Sequence, residues 1–566
     1  MHLFDWIILA GTLLAIAVYG IYKSRNSRSI SDYFLGNRSM PWYMVMFSVI
    51  TTQASAITFI SAPGQAYTDG MRFVQFYFGL PFAMLVVSYV FMPMFRQANV
   101  VTAYEFLEKR FNVKTRALTA ILFLLQRGLS AGLTIYAPAL ILSSLLGWNI
   151  WVANVLMGGI VIVYTVSGGA RAVAHTQFQQ MVIITLGMLV ADGMIVYLLP
   201  KEVTFFEALS ISKAVGNMNT ITTHFDWNDK YNVWSGVIGG FFLSLAYFGT
   251  DQSQVGRYLS GKSERESRIG LLLTAIVKIP MQYLILLIGA LLVSFYHFYP
   301  SPIFFNETAL RSITKNTSCN GKLSEYKVSL VNLERKKKET ALNFLKEKNE
   351  NVKQHLKDSL INLKHRENEL RKEVKLFLKQ ANPGMDVNDT NYIFLNFVLR
   401  YLPVGGIGLL IAVIFCASWS STASELNALS STSVLDIYQR LLQPSAAEKH
   451  YVQLSKWFTV IWGLIAVAVA QFATAMGSMI EAVNVLGSLF YGTILGVFVV
   501  AFFVKYIHGN AVFAAAIVAE LVVIALYVFN VTAFLWLNMV GCLLVVLLGW
   551  LFQWGQNQRL VLKNSP

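Results

Sequence analysis

Charge is what this 566-residue sequence has least of: Asp, Glu, Lys and Arg together make up 13% of it, about half the share of a soluble domain. That shortage excludes an ordinary soluble fold. Cysteine is scarce too. Cys319, Cys416 and Cys542 are the only three, two of them in apolar runs, so there is neither a disulfide framework nor a metal-ligand spacing. Catalytic signatures are missing: no His-Glu-x-x-His, no Walker loop, no nucleophile elbow, and eight scattered His without an acid pair beside them. Neither an enzyme nor a cofactor is expected. The opening MHLFDWIILAG lacks a basic n-region and a cleavage site, so the first apolar run reads as a retained span.

What the chain has is hydrophobic length. Apolar residues make up 55%, in runs of about 20, long enough to cross a ~30 Å hydrocarbon core as helices. A barrel would alternate instead. About 13 spans are expected, near 4–22, 41–66, 74–96, 117–146, 150–167, 175–199, 234–256, 270–296, 391–425, 454–473, 477–505, 510–530 and 533–553. Basic residues fall in alternate short loops: Lys23, Arg25, Arg28 and Arg38; Lys109, Arg110, Lys114 and Arg116; Arg171; Arg257, Lys262, Arg265 and Arg268; Arg440 and Lys449. The positive-inside rule puts these in the cytoplasm, the N-terminus outside and the C-terminus inside. The net charge of +15 does not point to nucleic acid, because 18 of the 45 Lys and Arg lie in 311–379. That long segment falls on the outer side, where the charge rule does not bind long loops. Within it Val352, Leu356, Leu360, Leu363, Leu370, Val374 and Phe377 recur at helical spacing, and Tyr326, Leu330 and Leu333 offer a pairing stripe. The expected organisation is 1–310, an extracytoplasmic helical insert at 311–390 and 391–566. The insert is either a solvated hairpin or a docking surface for a protein partner.

Two spans look broken: TTQASAIT (51–58) followed by Ala62, Pro63 and Gly64, and a span with Gly236, Gly239, Gly240 and YFGTDQSQ (247–254). Breakers in hydrocarbon are tolerated where freed backbone lines a cavity. With the first span set aside, the breaks open two successive sets of five, as in an inverted repeat with a midplane site. In the ninth span Ala417, Ser420, Ser421 and Ser424 share one helix face. Hydroxyls plus freed carbonyls suit a hard monovalent cation, or they pack the helix closely. Arg127 lies near the middle of an apolar span, where it costs ~2.5–3.5 kcal/mol unless it meets a partner or a cavity. It either pairs a solute carboxylate, supplies a fixed positive charge, or joins a network with carbonyls and Gln126 or Gln177.

The stretches DYFLGNRSMPWY (32–43), SAITFISAPGQAY (55–67), TAYEFLEKRF (102–111), IYAPALIL (135–142), GGARAVAHTQ (168–177), DQSQVGRYL (251–259) and ASWSSTASELNALSSTSVLDIY (417–438) resemble the sodium/solute symporter family, nearest its iodide, monocarboxylate and multivitamin branch. The resemblance covers nearly everything but the insert. It implies an all-α polytopic membrane protein with a leucine-transporter-type 5+5 core, one leading and two trailing helices. It also implies a sodium site from Thr51, Ala54, Ala417, Ser420 and Ser421. Where many members have Thr-Asp, this chain has Thr176 and Gln177, which favours one sodium per cycle. Gln53, Ser55, Thr58, Tyr77, Arg127, Ser244, Tyr247 and Lys278 are the expected solute or gate positions. Thr58, Tyr77 and Ser244 depart from the sugar pattern, whereas Lys278 and Tyr247 match it. The expected function is sodium-driven import of a small, carboxylate-bearing solute across the plasma membrane. The alternatives are a sugar or polyol symporter and a transporter-derived sensor. The expected partners are sodium, the solute and the bilayer, with no nucleic acid.

Overall fold

The computed structural model describes residues 2–23, 30–314, 317–473 and 477–563. Arg25 and Arg28 lie outside them, as do the side chains of Lys23, Arg171 and Cys319. The principal elements are α1 (Leu3–Lys23), α2 (Trp42–Gln53), α3 (Ala56–Asp69), α4 (Met71–Gln97), α5 (Val113–Leu146), α6 (Ile150–Tyr197), α7 (Ser235–Thr250), α8 (Gln252–Leu259), α9 (Glu264–Phe298), α10 (Thr317–Lys346), α11 (Glu350–Ala381), α12 (Ile393–Tyr401), α13 (Gly406–Leu442), α14 (Glu448–Ala470), α15 (Met479–Phe503), α16 (Gly509–Val528) and α17 (Phe534–Lys563). Among the described residues nine helices are long and apolar enough to cross a bilayer, and α2 with α3 form a tenth span bent by 60°. Shorter apolar helices run over Leu3–Ile16, Ile150–Val166 and Ser235–Thr250.

Helical bonding is continuous through α6, yet α6 is not one rod. Residues 164 and 176 of a straight helix stand about 18 Å apart along its axis, whereas Tyr164 Oη and Thr176 Oγ1 are 2.5 Å apart. The chain therefore turns between them, and α6 supplies two passes. The expected ninth span, 391–425, divides. Helix α12 ends at Tyr401 and α13 starts at Gly406. Leu402, ahead of Pro403, is extended and ends α12, and Gly405 takes φ +92° at the start of α13, a conformation outside any right-handed helix.

Both sequence breaks are real. Ala54 (φ −81°, ψ 77°) and Ser55 (φ −83°, ψ 172°) leave helical geometry between α2 and α3, and Asp251 is extended between α7 and α8. The glycines of α7 serve a close crossing with α4: a Cβ on Gly240 would stand 2.4 Å from Phe76 O, and one on Gly79 2.1 Å from Phe241 N. Only glycine lets two backbones approach that closely.

The two ends of the bundle differ. At one, the Lys262 N–H donates to Met40 O (2.8 Å), Lys109 to Ala98 O (2.7 Å), and Arg116 and Arg440 both hold Glu108. At the other, Asn217 Nδ2 donates to Ala66 O and Tyr67 O, and the Ala533 N–H to Trp227 O. Helices α10 and α11 form a hairpin at this second end. Its core includes Leu323, Leu330, Val374 and Leu378, with Tyr326, Leu370 and Phe377 against it; Val352, near the tip, is exposed. Glu367 is the hub. It pairs with Lys337 (2.5 Å) and Arg371 (3.0 Å), and Arg371 donates on to Pro302 O (2.8 Å). Burial opposes ionisation of Glu367, but Lys337 and Arg371 more than offset it and hold its carboxyl at about 2.

Candidate functional site

The α2–α3 break sits against the middle of α13, and the contact is built from hydroxyls. Thr51 and Thr52 turn their hydroxyls back onto Phe47 O (2.6 Å) and Ser48 O (2.7 Å), a local bonding that small polar residues favour where a helix loosens. Residues 51–54 lie at the end of α2, where carbonyls lose their intrahelical donors. Ser420 Oγ stands 3.4 Å from Thr51 O. One turn on, the Thr52 hydroxyl donates to Ser424 Oγ (3.1 Å). Ser421 Oγ donates to Ala417 O (3.1 Å) and Ser418 O (3.2 Å). Thr51, Ala54, Ala417, Ser420 and Ser421 are all fully buried. Buried oxygens without a carboxylate among them suit a monovalent hard cation.

Gln177 ties this junction together. Its Oε1 accepts from Ser48 (2.5 Å), and its Nε2 donates to Ser424 Oγ (2.8 Å) and lies 3.4 Å from Ser420 O. A neutral amide thus bridges α2, α6 and α13.

A cavity opens on the other side of the break. It encloses about 760 Å³ including its mouth. Gln53, Ser55, Thr58, Tyr77, Arg127, Ser244 and Tyr247 all line it, together with Gln126, Glu425, Asn484 and Tyr491. Seven of the eight expected solute or gate positions therefore meet around one cavity. Lys278 does not reach it. Its Nζ lies 5.9 Å from the Tyr77 ring, on which the cavity wall is built, and has no hydrogen-bond partner.

Arg127 is held by two acids, not by carbonyls, Gln126 or Gln177. Its Nη1 donates to Glu425 Oε1 (3.0 Å), its Nη2 pairs with Asp251 Oδ2 and lies 2.5 Å from Tyr491 Oη, and its guanidinium stands 5.4 Å from the Tyr247 ring. Asp251 is well supported: the Ser253 N–H (2.8 Å) and hydroxyl (2.6 Å) donate to Oδ1, and Tyr491 donates to Oδ2 (2.7 Å). Glu425 has only Thr134 besides (2.9 Å). An intramembrane Arg matched this way no longer carries the cost of an isolated charge.

Sequence reading passed over Asp251 and Glu425. Both lay in stretches singled out for other reasons, a break and a hydroxyl face. The rule that flagged Arg127, an ionisable residue in an apolar span, applies equally to Glu425 and would have found it. Tyr491 carried no signal among 25 tyrosines.

A helical bundle with two broken spans around a polar cavity is the architecture of a secondary transporter. The chain belongs to the sodium:solute symporter family, whose model matches residues 33–322 and 375–519. The unmatched interval falls in the α10–α11 hairpin. The chain is 26% identical over 513 residues to the sodium-coupled monocarboxylate transporter 1 of Mus musculus, covering 89% of this chain and 70% of that protein. It is 25% identical over 550 residues to the sodium/sialic acid symporter SiaT of Proteus mirabilis (96% and 94% covered). Among solved structures, a sodium-coupled sialic acid symporter in a substrate-bound outward-open state superposes with a TM-score of 0.74 at 23% identity over 98% of both chains. That likeness shows the fold, with its inverted five-helix repeats. By family, the protein is a sodium-coupled symporter of a small solute.

Proposed function

We propose that this protein imports a small carboxylate-bearing solute with one sodium ion per cycle, across the plasma membrane. The observation that carries the sodium site is the Ser420 hydroxyl facing Thr51 O across the α2–α3 break. Thr51 and Ala54 contribute carbonyls, Ala417 a carbonyl, and Ser420 and Ser421 hydroxyls. One sodium is favoured because Gln177, neutral and already bonded on both sides, occupies the place where an acid would bind a second. Sodium is cargo here and no cofactor is needed, nor is catalytic chemistry.

The solute occupies the cavity bounded by Gln53, Ser55, Thr58, Tyr77, Ser244 and Tyr247, with Arg127 as the group for its carboxylate. The relatives named for monocarboxylates and sialic acid support this class. A sugar is less well supported, because Lys278 lies off the cavity wall. The end bearing Lys109, Arg116, Lys262 and Arg440 faces the cytoplasm, which puts the N-terminus and the α10–α11 hairpin outside. There the hairpin offers a face to a protein partner.

The test is counterflow of labelled pyruvate, lactate and sialic acid in sodium-loaded liposomes. Exchange that needs sodium supports the reading; exchange that is equal in potassium refutes the sodium site. A thermal-shift screen of the same carboxylates against glucose, with and without sodium, tests the solute class.

A further inference from the structure

The solute cavity carries more negative charge than a carboxylate site should. Arg127 and Glu425 are the charged residues of its wall, and Asp251 pairs with Arg127 from behind. One guanidinium against two carboxylates, all three buried, leaves one negative charge. A carboxylate entering beside them would make two, and like charges a few ångströms apart in a buried site do not both stay ionised.

We propose that Glu425 takes up a proton when an anionic solute binds, so that the solute's carboxylate replaces Glu425 on Arg127. This rests on the carboxylate reading above. The balance is simple. A proton from water ends on a Glu425 oxygen, the Glu425–Arg127 ion pair opens, and a solute–Arg127 pair forms. The site holds one net negative charge before and after.

Glu425 is the carboxylate that yields. Asp251 accepts from Arg127, Tyr491 and both the N–H and hydroxyl of Ser253, four donors that hold it in place. Glu425 accepts from Arg127 Nη1 and from Thr134 alone. Thr134 Oγ1 also stands 2.9 Å from Ala131 O, so Glu425 has to share its single hydrogen. Arg127 is ready for the exchange. It is buried, 3% exposed, and its Nε has no partner among the described residues. Beside it Gln126 Oε1 and Gln53 Oε1 are likewise unpartnered. The other titratable groups facing this point are the phenols of Tyr247 and Tyr491. Lys278 stands beyond Tyr77.

Isothermal calorimetry on the intact purified protein, in saturating sodium, tests this. The probe is whichever of propionate, pyruvate, lactate, benzoate or sialic acid stabilises the protein most. Wild type should take up about one proton per carboxylate, read as heat that varies with buffer ionisation enthalpy. Its Kd should weaken about tenfold per pH unit wherever the resting Glu425 is ionised. Glu425→Gln should bind without proton uptake, with a flat pH profile and roughly tenfold or more tighter than wild type at pH 8.5. Carboxylate binding with no buffer dependence in wild type overturns the proton role and needs no variant. If none of the probes binds in sodium, the carboxylate reading fails first and this inference with it.

Discussion

Replacing Ser420 by Ala removes one oxygen from the proposed sodium site and little else. The hydroxyl lies 3.4 Å from Thr51 O, at the outer limit of a hydrogen bond, so its loss from the sodium-free protein costs less than about 1 kcal/mol. An oxygen facing a bare cation is worth more, about 1.5–3 kcal/mol for a bond to a charged group, which converts to roughly 10- to 150-fold in sodium affinity. The assay is sodium titration of thermal stability at constant ionic strength, with choline as the replacing cation. Wild type and Ser420→Ala should melt together without sodium and separate as it rises. Ser424→Ala is the contrast. Its hydroxyl donates to Ser420 O (2.9 Å) and meets Gln177 and Thr52, so it should lower the sodium-free melting point while moving sodium affinity less. An unchanged sodium midpoint in a folded Ser420→Ala protein would remove Ser420 from the site, and with it the case for that junction.

Gln177→Asp puts a charge among the hydroxyls of Ser48, Thr52 and Ser424; the sodium dependence of uptake should steepen from a Hill coefficient near one towards two, and an unchanged coefficient refutes the single-sodium argument. Glu367→Gln leaves buried Lys337 without its carboxylate and removes one from half-buried Arg371, at a cost of about 3–5 kcal/mol, so amide exchange in α10 and α11 should rise while the membrane helices stay protected. The same carboxylate sets a pH window. Its pKa in the folded state is depressed to about 2, below the ~4.3 of a free Glu, so its contribution is complete above pH ~4.3 and is lost as pH falls towards 2. Exchange in the hairpin that does not change across that range would show that Glu367 does not hold it.

Much of this was legible in the sequence because membranes punish local departures. A Pro or Gly run, a string of serines or an Arg inside an apolar run needs a reason, and 51–64, 420–424 and Arg127 each supplied one. What stayed hidden were pairings across long separations. Arg127 finds Asp251 at 124 residues and Glu425 at 298 residues along the chain, and spacing arguments cannot see either. The run over 391–425 misled because hydropathy averages across Pro403 and Gly405, whereas their backbone geometry ends one helix before the next begins. Lys278 shows the limit of a matched position. The residue is where resemblance put it, yet its side chain sits behind Tyr77 and off the cavity.

The proposed sodium and solute sites share backbone, and this gives coupling a physical route. The stretch 51–55 carries Thr51 towards Ser420 and, two to four residues later, Gln53 and Ser55 into the cavity wall. On α13 the same holds: Ser420 and Ser424 face the break while Glu425, the next residue, reaches the cavity and Arg127. An ion bridging Thr51 O and Ser420 would fix both stretches at once, at the one contact between them, 3.4 Å, that lies at the outer limit of a hydrogen bond. A solute that needs Ser55, Thr58 and Arg127 in register then meets a wall whose ordering cost has already been met, which is positive coupling between the two ligands. By reciprocity a bound carboxylate must tighten sodium by the same factor. A sodium affinity that is the same with and without a saturating carboxylate would separate the two sites and leave their shared backbone without a role in transport.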